Sequence, residues 1–316
     1  MVFLLDELGL SAGPRRVAVQ LEAAWEFRRW QDGRVIVVQP MGEACLQLYE
    51  GHCYVAHRAD LLALLQQALP AAQLKLDHRC PGHQPTDRGV QITFTHRHGG
   101  PSEVQADVLV GADGIHSVIR SAVASQEEAR FSGLCAFRCL VPVEPAPAMA
   151  LRPVQTLWLG TGRRWVHYPI SAGRLVNIVA IVPGGDWRAE SWTAEGLVAD
   201  MQAAFEGWAP PVQHLLAAAI DTRRWALVDR SPLPRWSKGR VTLLGDATHA
   251  DASVFAQGAA QAVDEAAVLS DCLTGAASDA VTQTLQRYET GRLPRASQVQ
   301  LMRRGLEIRN HLPDGP

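Results

Sequence analysis

Apolar residues recur along this chain with two different periods, and the changes of period divide it into three stretches. In the first third the periods mix. Arg34–Val38 reads as a strand, and His57–Leu69 places apolar residues at helical spacing. Val90–Thr95 and Asp107–Val110 have strand character. The second is wholly apolar after its Asp, as a parallel strand covered on both faces would be. The centre changes style. Val154–Leu159, Arg164–Ile170 and Arg174–Val182 are strand-like runs separated by turns at 160–162 and 172–173, which predicts an antiparallel sheet. Helices are predicted over about Ala194–Phe205 and Val212–Ala219. In the last third a buried-strand run, Val241–Leu244, ends on Gly245 and Asp246, and Gly258, Ala259 and Ala260 open a long Ala-rich helical pattern. Two helical stretches then run to the end, interrupted near Leu293-Pro294. Near the start, Asp6–Leu10 reads as a helix end stopped by Gly9.

Composition narrows the class without naming the chemistry. With 316 residues, 47% hydrophobic and 20% charged, the chain is long enough for one large or two moderate soluble domains. A net charge of -2 argues against nucleic acid as a partner. No apolar run reaches the ~18 residues of a membrane span, and the acidic start does not read as a signal peptide. Six cysteines form no C-x-x-C pair, so no metal site is expected, and scattered thiols fit a reducing cytoplasm. Cys135 and Cys139 would share a strand face as neighbouring buried thiols.

Two segments carry candidate chemistry. Asp107–Arg120 reads D-V-L-V-G-A-D-G-I-H-S-V-I-R, a buried strand that turns through Gly111-Ala112-Asp113-Gly114 into a short helix. Asp113 sits where it could accept hydrogen bonds from ligand hydroxyls or cap the helix. Ser117 suits an N-cap, and Arg120 suits either a phosphate or a carboxylate. Gly239–Leu269 places the carboxylate of Asp246 at a strand end and bare N–H groups at the helix start Gly258–Ala260. His249 could contact a ligand or be a hydrogen-bonded structural histidine.

These two segments, in this order, resemble the flavin-binding motifs of the class A FAD-dependent aromatic monooxygenases, in their salicylate-hydroxylase-like branch. His57–Leu62 (H-R-A-D-L-L), Trp165–Ile170 and Arg287–Ala296 extend the likeness over nearly the whole chain. The resemblance implies an α/β (α+β mixture) chain: a Rossmann-like FAD-binding domain, N-terminally truncated, with an inserted antiparallel-sheet substrate domain. The domains would be 1–127, 128–232 and 233–316. It also implies that Arg58, Asp113, Gly114, Arg120, Gly245, Asp246, Gly258, Ala259 and Ala260 contact FAD, with Asp246 on the ribityl hydroxyls and the helix start on the reduced ring. Tyr168 and Arg164 would line the substrate cavity, Arg164 pairing with an aromatic acid's carboxylate, and Ser253 would lie on the flavin-facing wall. For both strand residues the alternative is open: Tyr168 in the core, Arg164 at the surface.

The chain departs from the family at three places. It contains no strand–G-x-G-x-x-G–helix unit, and Gly160-Thr161-Gly162 reads as a hairpin turn. Such a chain is expected to be a truncated product that holds FAD poorly. Ala250 and Ser253 stand where prolines are usual, and Asp264-Glu265 replaces a Glu-Asp pair. The activity implied is hydroxylation of salicylate or another hydroxybenzoate by a cytoplasmic enzyme through a flavin hydroperoxide. NADH or NADPH and molecular oxygen would be co-substrates, and a homodimer is a further open partner. The alternatives are a related halogenase or reductase, or an inactive remnant.

Overall fold

In the computed structural model the described residues are 5, 9–10, 12–40, 42–49, 51–124, 129–189, 194–249 and 257–309. Two compact units emerge. One comprises Pro70–Arg130 and Val228–Leu306; the other comprises the described residues up to Leu69 and Phe131–Leu227.

The second unit is built on an 8-stranded sheet among the described residues. Its order is Glu195–Gly196, Thr222–Asp229, Arg130–Pro142, Leu175–Pro183, Arg163–Ile170, Val154–Gly160, Ala23–Arg29 and Val35–Pro40. The three predicted central strands pair antiparallel, and the Gly160-Thr161-Gly162 segment is the hairpin turn, closed by Gly160 opposite Arg163. Positive φ at Gly162 (66°) lets the chain reverse there. One face is the core. Phe137, Cys139, Trp165, Ile178 and Ala180 alternate inward and meet Met201, Phe205, Val212 and Leu215. Those four come from the helices Val198–Ala204 and Pro210–Ala218 and the residue after the first. Trp165 meets Phe205 edge-on at 5.3 Å between ring centroids. Cys135 and Cys139 share this face as expected, and burial pushes the Cys139 thiol up to about 12.

His167 also points into this packing, 1% exposed, with neither ring nitrogen partnered among the described residues. Desolvation, aided by the charge of Arg28, pulls its imidazole down to about 3 from 6.5. As pH falls through 6.5 the unfolded chain takes up a proton that the folded chain refuses. The stability conferred by a neutral His167 is therefore complete above 6.5. It is lost between 6.5 and about 3 at up to ~1.4 kcal/mol per pH unit. His167→Leu should flatten the pH dependence of urea midpoints between pH 6.5 and 4. An equally steep dependence in the variant would contradict this account.

In the first unit the strand Leu109–Gly111 lies parallel to Val241–Leu243, and Ser237–Lys238 pairs antiparallel beyond it. The parallel pairing agrees with expectation, but the predicted cover on both faces does not. Val110 is 36% exposed, because alternation turns it away from the side on which Gly111 meets Ile119. Val90–Thr95 is the middle strand of a separate antiparallel three-strand sheet. Ile119, Trp236, Leu243, Leu269, Leu285 and Tyr288 form this unit's core, and Tyr288 donates its hydroxyl to the Leu243 carbonyl at 3.2 Å.

Two helix predictions need correction. The helix expected from about Ala194 begins at Val198, because Glu195–Gly196 pairs instead with Thr222 and Arg223 as an edge strand. The interruption expected at Leu293-Pro294 is absent: one helix runs Val281–Arg309 with Pro294 inside it. Leu285, Tyr288 and Ala296, on both sides of the proline, are anchored in the same core, which outweighs the single backbone bond that proline removes. No helix among the described residues is long and apolar enough to cross a membrane, and no metal-ligand cluster occurs among them.

Candidate functional site

The strand Val241–Leu243 delivers the chain into a turn whose backbone is held from below. Gly245 has φ of 63°, and a Cβ there would lie 3.2 Å from the Cβ of Ala262. Its N–H donates to Oε2 of Glu265 at 2.9 Å, and Oε1 of the same carboxylate meets His249 Nε2 at 2.7 Å. Thr248 donates its hydroxyl to the Gly245 carbonyl at 2.7 Å. Glu265 is fully buried and His249 is 3% exposed. His249 is thus hydrogen-bonded through Nε2, while its Nδ1 is buried without a partner among the described residues. Asp246, by contrast, is exposed.

The helix Gly258–Leu273 starts beside that carboxylate. A Cβ built on Gly258 would stand 3.7 Å from Oδ1 of Asp246. The side chain of its N-cap, Gln257, makes no capping hydrogen bond. A carboxylate acceptor and a helix's partially positive end therefore stand close together, with no side chain on Gly258 between them.

At the Asp113 turn the carboxylate caps the short helix that follows. Asp113 Oδ1 accepts from Ser117 Oγ at 2.5 Å, and Oδ2 accepts from the N–H groups of Val118 and Ile119 at 2.7 and 3.2 Å. Ser117 is the N-cap, its Oγ accepting from the N–H of Arg120 at 2.9 Å. Gly114 adopts φ of 79°, which the turn requires. Arg120 is 5% exposed, and its Nη2 donates to the carbonyls of Gly114 and Ile115 at 3.2 and 2.7 Å. Its Nε and Nη1 are buried without a partner among the described residues. Desolvation and the neighbouring Arg230 lower its pKa to about 10, so it stays cationic at neutral pH.

In the other unit, Arg58 opens the helix Arg58–Ala68 and is exposed. Tyr168 is half-buried on the sheet face opposite the core, and burial raises its phenol while the charge of Arg138 opposes the rise. The surface alternative for Arg164 is overturned. That side chain is 4% exposed and engaged inside the protein. Ala250 and Ser253 lie outside the described residues.

Sequence reasoning noted Glu265 only as half of the Asp264-Glu265 exchange and gave it no role in the turn. A signal existed for Glu265: Gln261, Glu265 and Leu269 recur at helical spacing and are the helix's buried residues. A carboxylate inside that stripe needs donors.

The donor set fits FAD. Asp246 can accept from hydroxyls, the Gly258 helix start can receive an electron-rich ring, and Arg120 has two orphaned donors for an anionic oxygen. The comparisons agree. A family model described as "FAD binding domain" matches residues 1–302. The 3-amino-4-hydroxybenzoate 2-monooxygenase PtmB3 of Streptomyces platensis is 38% identical over 313 residues, covering 99% of this chain and 77% of the relative. A crystal structure of Klebsiella pneumoniae HpxO complexed with FAD and uric acid superposes with a TM-score of 0.86 at 28% identity, covering 99% of this chain and 78% of that one. A salicylate hydroxylase substrate complex gives a TM-score of 0.83 at 26% identity, over 98% of this chain and 79% of that one. The chain belongs to the FAD binding domain family, among its FAD-dependent aromatic monooxygenases.

Proposed function

We propose that the chain hydroxylates an aromatic acid, a hydroxybenzoate being the best-supported class, with FAD as cofactor, NADH or NADPH as reductant and molecular oxygen as oxidant. The observation that carries this reading is the placement of the Asp246 carboxylate beside the helix start at Gly258. When bound, FAD accepts the hydride and activates oxygen. The protein's part is binding and positioning. Asp246 accepts hydrogen bonds from the ribityl hydroxyls, while the first-turn N–H groups of Gly258, Ala259 and Ala260 favour negative charge on the ring. Gly245 keeps the backbone low enough for close approach, and Glu265 holds that backbone still. Arg120, through Nε and Nη1, offers donors to an anionic oxygen. Asp113 supports this indirectly by building the helix turn on which Arg120 sits.

The aromatic-acid assignment draws on the names of relatives such as 3-amino-4-hydroxybenzoate 2-monooxygenase, 3-hydroxybenzoate 6-hydroxylase and salicylate hydroxylase. The chain incubated with FAD, NADH or NADPH, and a panel of hydroxybenzoates should oxidise the nicotinamide faster when the right acid is present. A product bearing one further hydroxyl should accompany it. Oxidation indifferent to every aromatic acid, with all electrons recovered as hydrogen peroxide, would refute the proposal.

A further inference from the structure

The hairpin between Arg163–Ile170 and Leu175–Pro183 turns through a backbone that residues with side chains rarely adopt. Ser171 and Ala172 have φ of 51° and 56°, and Gly173 follows at 79°. Two consecutive left-handed residues of this kind persist only where their surroundings hold them. Two tethers do so. The Ser171 hydroxyl, on a residue 4% exposed, donates to Oδ2 of Asp60 at 2.7 Å, across 111 positions of sequence. The N–H of Ala172 donates to the Val17 carbonyl at 2.9 Å.

Both tethers lead to one helix. Val17 ends the helix Ala12–Val17, which lies so close to Arg58–Ala68 that a Cβ on Gly13 would stand 3.0 Å from Leu64 Cδ2. Asp60 sits in the first turn of Arg58–Ala68, where its charge suits the helix's positive end and its Oδ2 binds the hairpin. Arg58 belongs to the same turn, so a shift of that turn moves both residues. Tyr168, three residues before Ser171, lies on the sheet face opposite the core. Arg138 leaves the sheet on that same face. Burial lowers the basicity of Arg138 and the charge of Arg58 adds to that, which places the helix start within electrostatic reach of the face.

We propose that Asp60 is a positioning residue: through Ser171 it fixes where Arg58 stands relative to the strand that carries Tyr168. It thereby sets the alignment of flavin and aromatic ring on which hydroxylation depends. The proposal rests on the aromatic-hydroxylase reading above and deepens it. A misplacement of about 1 Å is enough to separate reacting atoms, and oxygen reduced beside a misaligned ring leaves as hydrogen peroxide.

The test compares hydroxylated product formed per nicotinamide oxidised, per bound FAD, in the FAD-supplemented wild type, Asp60→Ala, Asp60→Asn, Ser171→Gly and the Asp60→Ala/Ser171→Gly double variant. Asp60→Ala should lower the ratio about 3- to 10-fold, with hydrogen peroxide making up the difference. Asp60→Asn keeps an oxygen for Ser171 and should recover most of the loss. Ser171→Gly removes the hydroxyl but suits a φ of 51°, so it should fold like the parent and lose the ratio as Asp60→Ala does. It covers the case in which Asp60→Ala does not fold. The double variant should be no worse than either single one, because both break one bond. Wild-type ratios in both single variants, or an Asp60→Asn ratio as low as that of Asp60→Ala, would each overturn the assignment. In the first case, with the wild type hydroxylating, the positioning role falls and the activity stands. If the wild type hydroxylates nothing, the visible spectrum of bound FAD is the readout. Asp60→Ala and Arg58→Ala shifting it alike and non-additively leaves the positioning role standing and the activity fallen. An unshifted spectrum, or a wild type that binds no FAD, overturns both.

Discussion

Glu265→Ala is expected to destabilise the first unit by about 3–5 kcal/mol and to weaken FAD binding with it. The carboxylate is fully buried and receives the Gly245 N–H at 2.9 Å and His249 Nε2 at 2.7 Å. Removing it strands both donors away from water and opens a cavity between the helix and the turn. The same loss frees the backbone that presents Asp246. Thermal unfolding should shift down by on the order of 10 °C. Glu265→Gln, which keeps an acceptor for Gly245, should be markedly milder. A Glu265→Ala chain with the parent's melting curve and FAD affinity would show that the clamp does nothing.

Asp246→Ala should give the opposite split. Asp246 is exposed, so its loss leaves no buried donor orphaned and the melting temperature should stay near that of the parent. Its carboxylate nevertheless stands beside the Gly258 helix start, where cofactor hydroxyls are proposed to bind. Hydrogen bonds to a charged acceptor contribute about 1.5–3 kcal/mol, so the FAD dissociation constant should rise about 10- to 100-fold. Fluorescence titration of FAD measures it directly. Unchanged affinity would remove Asp246 from the cofactor site. Together the two variants separate a residue that touches the cofactor from one that holds its neighbour in place.

What the sequence made legible follows from backbone geometry. Gly114 and Gly245 stand at positive φ in turns that leave strand ends, and residues of that kind announce themselves in the text. The central hairpins were legible too, because Trp165 and His167 alternate against Val166 and Tyr168 on a sheet whose two faces differ in chemistry. Where the reading failed, long-range contacts decided. Pro294 predicts a break, but Leu285, Tyr288 and Ala296 carry the helix across it in one core. Asp113 reads equally as a ligand residue or a cap until the positions of Ser117, Val118 and Ile119 are known. Swapping a Glu-Asp pair for Asp264-Glu265 looks mild on paper. In space, Glu265 spans from Gly245 to His249 with its two oxygens.

The most direct test of the account is isotopic. The chain, with FAD, a nicotinamide reductant and a hydroxybenzoate that accelerates nicotinamide oxidation, is supplied with oxygen-18 gas in ordinary water. Mass spectrometry of the product should show one oxygen-18 atom in the new hydroxyl group, and the label should vanish when FAD is withheld. A product that draws its new oxygen from water, or one that forms equally well without FAD, would contradict the assignment of this chain as an FAD-dependent aromatic monooxygenase.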